Sequence, residues 1–178
     1  MDYSIEILVL GGLCLFYAFY LLRSVTKLSP GSKQMQEIAL AIQQGAMTYL
    51  RRQYSSIAIF IIMVFLGVAY FVNLQVALAY VGGGIFSMLA GLIGMSSATR
   101  ANVRTTNAAA AGNRGQALGI AFRGGAVMGM AVASLGVIGL GIIWWAVPDL
   151  KAKALIVSGF SMGASSVALF AETQQILL

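Results

Sequence analysis

Apolar residues fall in five long runs, at 5–22, 55–74, 76–98, 119–147 and 154–171, with short polar stretches between them. Each run reaches the roughly 17–25 residues that cross a bilayer's hydrocarbon as a helix. The pattern predicts five transmembrane helices. The fourth run is long enough to tilt. Asn73 and Gln75 mark a tight turn between the second and third runs. Trp144 and Trp145 end the fourth run as interfacial aromatics do, and Pro148-Asp149 stops that helix. The polar tail Glu172-Thr173-Gln174-Gln175 follows the fifth run.

Two polar stretches are longer. In 23–54, Ser29-Pro30 reads as a helix cap followed by a first-turn proline. Ile38, Ile42, Ala46 and Leu50 then recur every four residues. That spacing predicts an amphipathic helix lying on the membrane surface and running into Arg51-Arg52-Gln53. The second stretch, 99–118, reads as a basic cytoplasmic connection carrying Arg100, Arg104 and Arg114. Arg123 lies a few residues into the fourth span.

Composition agrees with the pattern. Hydrophobic residues make up 60% and charged residues 9%, with a mean hydropathy of +0.89; soluble domains carry about 25% charge. The chain is read as an all-α, polytopic transmembrane helical bundle, a single domain over 1–178 in a prokaryotic cytoplasmic membrane. Its first partner is the lipid bilayer. A net charge of +6 would suggest nucleic acid in a soluble domain. Aromatic and basic residues do not interleave as a nucleic-acid groove requires, so that partner is excluded.

Charge also orients the chain. With the N-terminus outside, the inner segments hold Arg23, Lys27, Lys33, Arg51, Arg52, Arg100, Arg104, Arg114 and Arg123, while the outer ones hold only Lys151 and Lys153. Positive residues favour the cytoplasmic side, so the C-terminus is expected in the cytoplasm. The first run lacks a basic start and a small-residue cleavage site, and reads as a span rather than a leader.

Candidate chemistry is sparse. There is no histidine, which removes His-based metal sites and Ser/His or Cys/His catalysis. The single cysteine, Cys14, cannot form an internal disulfide. Gly125-xxx-Gly129 and Gly159-xxx-Gly163 fit the small-xxx-small pattern of closely packed helices. Gly112-Asn113-Arg114-Gly115 has glycines and a cation for a phosphate cradle but lacks the P-loop pattern. Arg123 either snorkels to the membrane edge or pairs with another helix, Glu37 being one partner. Ser158, Ser161 and Ser165 share one stripe and suit a polar path or small contacts between helices. Of five carboxylates, Asp2, Glu6 and Asp149 fall outside, leaving Glu37 and Glu172 inside. A Mg²⁺–phosphate site needs several converging carboxylates, so no metal is expected on this chain alone.

Four blocks resemble a known family: IALAIQQGAMTYLRRQY (38–54), GMSSATRANVRTTNAA (94–109), AFRGGAVMGM (121–130) and GASSVALFA (163–171). In this order they are similar to the N-terminal part of membrane-bound, ion-pumping inorganic pyrophosphatases. The resemblance implies a large helical bundle working as a homodimer. It implies hydrolysis of pyrophosphate with Mg²⁺ at the cytoplasmic side, driving H⁺ or Na⁺ outward. It also places the family's hydrolytic aspartates and substrate lysines after the fifth helix, in aspartate-rich motifs beyond Leu178. Where the family has an arginine of the ion path, this chain has Glu172. The expectation is a catalytically incomplete first quarter of such a pump, from a truncated, frame-shifted or split gene. The alternatives are a non-catalytic subunit pairing with a separately encoded remainder, and a small transporter or channel.

Overall fold

The computed structural model describes residues 4–176, with side chains described over 5–170. The chain forms five helices: α1 Ser4–Thr26, α2 Lys33–Phe71, α3 Leu74–Ala110, α4 Arg114–Ala146 and α5 Leu150–Ile176. No strand occurs among the described residues. Each helix contains a stretch long and apolar enough to cross a membrane.

The five runs are therefore five helices, but two of the polar stretches are helix as well. The expected separate surface helix is instead the first part of α2, which continues unbroken through Arg51 and Arg52 for 39 residues, about 58 Å at 1.5 Å per residue. The expected connection at 99–118 is mostly the end of α3 and the start of α4. Arginine, glutamine and alanine are good helix formers. A change from apolar to polar composition marks a change of surroundings without breaking the backbone ladder.

The ends of the helices have local causes. Ser32, rather than Ser29, caps α2: its hydroxyl accepts the Met35 N–H at 3.3 Å. Ser29 instead accepts the Gly31 N–H at 3.2 Å within the turn. Asn73 caps α3 through the Gln75 N–H at 2.8 Å, and Asp149 caps α5 through the Ala152 N–H at 2.8 Å. α3 ends in a Schellman motif, with the Gly112 N–H on the Ala109 carbonyl at 3.0 Å and the Asn113 N–H on the Ala108 carbonyl at 3.1 Å. Gly112 carries the left-handed φ of 76° that this motif needs. Asn113 then caps α4 through the Gln116 N–H at 3.1 Å. Gly112→Val should cost about 1–2 kcal/mol, since a side chain resists left-handed backbone. Asn113→Ala should cost about 1 kcal/mol. Thermal unfolding in detergent, followed by circular dichroism, measures both.

Contacts group the chain into two compact units. One comprises Met1–Gly12, Arg51–Leu89 and Ser134–Leu178; the other comprises Leu13–Leu50 and Ala90–Ala133. In the first, Ile57 and Ile61 of α2 meet Tyr80 of α3 and Val167 of α5. A neighbouring cluster joins Val76, Ile143, Ile156 and Phe160, with the Phe160 ring edge-on to Phe86 at 5.9 Å. In the second unit, Val25 of α1 packs with Ala101 and Ala108 of α3 and Ala117 and Ile120 of α4. Small residues dominate this second core, so its helices approach closely.

Candidate functional site

In the second unit Arg104 makes three hydrogen bonds through its guanidinium. Arg104 lies on α3, and its guanidinium donates from Nε to the Leu28 carbonyl at 3.0 Å and from Nη2 to the Thr26 carbonyl at 2.9 Å. Nη1 donates to the Arg100 carbonyl at 2.7 Å. Thr26 ends α1, where carbonyls lack helical partners, so Arg104 supplies the donors those carbonyls need. One turn on, Asn107 Nδ2 donates to the Ser29 carbonyl at 3.3 Å. A Cβ on Gly31, whose φ is +87°, would lie 2.8 Å from Asn107 Oδ1. Positions i and i+3 on one helix face thus fasten the whole α1–α2 turn to α3. Within the ATRANVRTTNAA block, this is what the arginine and the asparagine do.

Beside the clamp, Ser97 of α3 donates to the Gly124 carbonyl of α4 at 3.1 Å, and a Cβ on Gly124 would lie 2.6 Å from the Ala101 methyl. Gly124 is therefore a packing glycine of α4, as Gly139 against Phe160 and Gly141 against Leu8 are. The expected pair Gly125 and Gly129 faces open space. On α5 the expectation holds. A Cβ on Gly159 would lie 2.8 Å from the Val76 carbonyl oxygen, and one on Gly163 would fall on the Tyr80 carbonyl. Gly83 of α3 faces the Phe160 carbonyl in the same way, a contact the glycine spacing did not single out.

The other candidates are dispersed. Arg100 and Arg123 are exposed. Glu37 is exposed too, and no ion pair joins it to Arg123 among the described residues. The cradle Gly112-Asn113-Arg114-Gly115 is the turn and cap described above, with Asn113 filling the α4 N-terminus. Ser158, Ser161 and Ser165 stay exposed on α5, and Ser158 bonds the Ala154 carbonyl of its own helix at 2.9 Å. Glu172 lies outside the residues whose side chains are described. Trp144 is exposed, with the Lys153 ammonium 4.4 Å from its ring centroid, which suits an interfacial pair.

An apolar groove of ≈ 150 Å³ opens in the second unit between α2 and α3, lined by Ile38, Ile42, Thr99, Asn102, Val103 and others. No three His, Cys, Asp or Glu side chains come together among the described residues. Asp149 is occupied as a cap. The described carboxylates therefore do not fit a Mg²⁺ ion.

Residues 12–174 match the family described as inorganic H⁺ pyrophosphatase. A putative K⁺-stimulated pyrophosphate-energized sodium pump of Clostridium tetani is 48% identical over 161 residues, covering 90% of this chain and 23% of that protein. A K⁺-insensitive pyrophosphate-energized proton pump of Methanosarcina mazei is 42% identical over 163 residues, 90% of this chain and 24% of its own. A proton pump of the same description from Pyrobaculum aerophilum is 36% identical over 182 residues, 96% of this chain and 25% of its own. The chain spans about a quarter of the length of these relatives. With five helices long and apolar enough to cross a membrane and a match over nearly its whole length, the chain is a multi-pass membrane protein that belongs to the inorganic H⁺ pyrophosphatase family.

Proposed function

We propose that this chain forms the amino-terminal, five-helix part of a pyrophosphate-energised pump that exports H⁺ or Na⁺. The observation that carries the reading is the match over 12–174 to a family whose relatives are named as such pumps. The helices act as scaffold: close α3–α5 packing in one unit and the Arg104 clamp in the other hold fixed surfaces for the rest of the pump. The reactive carboxylates and the Mg²⁺ belong to that remainder, because the described acidic side chains here do not converge. Its partners are then the remainder, pyrophosphate and, by resemblance, a second copy of the whole pump. The N-terminus lies outside, with the cation-rich segments 23–54 and 99–123 in the cytoplasm.

Two measurements test the reading. Membranes holding only this chain should show no Mg²⁺-dependent pyrophosphate hydrolysis above background; robust turnover would overturn the claim of incompleteness. In a chimera, residues 12–171 of this chain, stopping short of Glu172, replace the matching part of the Clostridium tetani protein. Pyrophosphate-driven ion uptake into inverted vesicles is expected. A chimera that inserts and folds stably yet hydrolyses nothing sinks the assignment.

A further inference from the structure

The last three turns of α1, with Lys27 just past them, carry a face that changes from aromatic to cationic. At 100° per residue, Phe16, Phe19, Tyr20, Arg23 and Lys27 fall within an arc of about 100°. All five are exposed, Phe16 at 72% and Tyr20 at 61%. Lys27 keeps the helical course, its amide bonding the Arg23 carbonyl at 3.2 Å. The Arg23 guanidinium lies 5.2 Å from the Phe19 ring centroid. The face therefore ends in two cations, the first of which, Arg23, lies against an aromatic ring.

Among the described residues no carboxylate pairs with these cations. The second unit holds Arg23, Lys27, Lys33, Arg100, Arg104, Arg114 and Arg123 against one carboxylate, Glu37. No acidic residue occurs from 13 to 36 or from 90 to 133. Arg104 brings a third positive charge to the same end of α1, where it bonds the Thr26 carbonyl. The nearby hydroxyls bond their own helix: Ser24 donates to the Leu21 carbonyl at 3.0 Å and Thr26 to the Arg23 carbonyl at 3.1 Å.

Charge complementarity selects the occupant. A covering helix would fit this face only by bringing its own carboxylates to Arg23 and Lys27, because burying them unpaired is strongly unfavourable. A lipid meets every part of the face at once. Its phosphate lies at the level of Arg23 and Lys27, its glycerol region at Phe19 and Tyr20, and its acyl chains along Leu13 and Phe16. Aromatic rings favour that interfacial depth, and cations at the membrane edge attract anionic headgroups. We propose that this face of α1 is a binding site for the headgroup of an anionic phospholipid. The proposal does not depend on the pump assignment.

Native mass spectrometry of the purified full chain tests it. The probe is an equal mixture of phosphatidylglycerol and phosphatidylcholine with identical acyl chains. The wild type should retain phosphatidylglycerol over phosphatidylcholine by about tenfold. Arg23→Gln with Lys27→Gln should cut that preference at least about fivefold, whereas Arg114→Gln with Arg123→Gln, which removes the same charge elsewhere, should leave it. Equal retention of both lipids, or equal losses in the two double variants, would overturn the site. Displacement of the bound lipid by millimolar inorganic phosphate would assign it to a free anion instead and also overturn it. If the first double variant does not fold, the wild type still decides: its preference must fall as salt is raised, and a salt-insensitive preference refutes the proposal.

Discussion

Gly163→Leu should unfold the α3–α5 contact. The obstacle to a side chain there is the Tyr80 backbone, with the Tyr80 Cα 3.0 Å from the position of an added Cβ. Forcing extra atoms into a packed core costs about 1–3 kcal/mol when neighbouring side chains can yield. Main chain cannot yield without parting the helices, so about 3 kcal/mol or more is expected. Gly129→Ala is the counterpart: that glycine faces open space inside a helix, and alanine there should stabilise by about 0.5–1 kcal/mol. Midpoints of heat or SDS denaturation in detergent separate the two. Equal midpoints for both variants would refute the close crossing.

Arg104→Ala should release the α1–α2 turn. The bonds to the Thr26 and Leu28 carbonyls disappear, and charge-assisted bonds of this kind contribute about 1.5–3 kcal/mol each. Partial exposure reduces this, giving a loss of about 2–4 kcal/mol in total. Arg104→Lys keeps the charge but cannot reach both carbonyls in a planar fork, so it should recover no more than about half. Asn107→Ala, losing one longer bond, should cost about 1 kcal/mol. Hydrogen exchange at the amides of 27–32 and tryptic cleavage after Lys27 should both accelerate in Arg104→Ala. Unchanged exchange across that turn would remove the clamp.

The sequence made the number of helices legible because lipid demands unbroken apolar length, and Gly159 and Gly163 were legible because four-residue spacing puts both on one face. Helix ends were less so. The polar residues 33–54 and 99–110 were assigned to other elements, yet nothing in them breaks a helix, and the ladder runs on past the apolar boundary. Adjacent glycines were a second ambiguity. Gly124 and Gly125 differ by 100° around α4, and a repeat of small residues cannot say which one meets Ala101. Charge was a third. Arg123 stood out by lying in an apolar run, but its neighbours leave it exposed, while Arg104, in a polar stretch, is the bonded arginine. Its signal was the Arg-xx-Asn spacing on a face lined with alanine at 101 and 108, which only acquires meaning once the end of α1 is placed against it. The four family blocks carried the assignment that local physics did not.

The partners that meet at Tyr80 and Gly163 are made far apart in time. At about 5–20 residues per second, the roughly 80 residues between them take about 4–16 s to leave the ribosome. For those seconds α3 offers a bare strip of main chain at Gly83 with no neighbour of its own to cover it. Slower synthesis lengthens that exposure and faster synthesis shortens it.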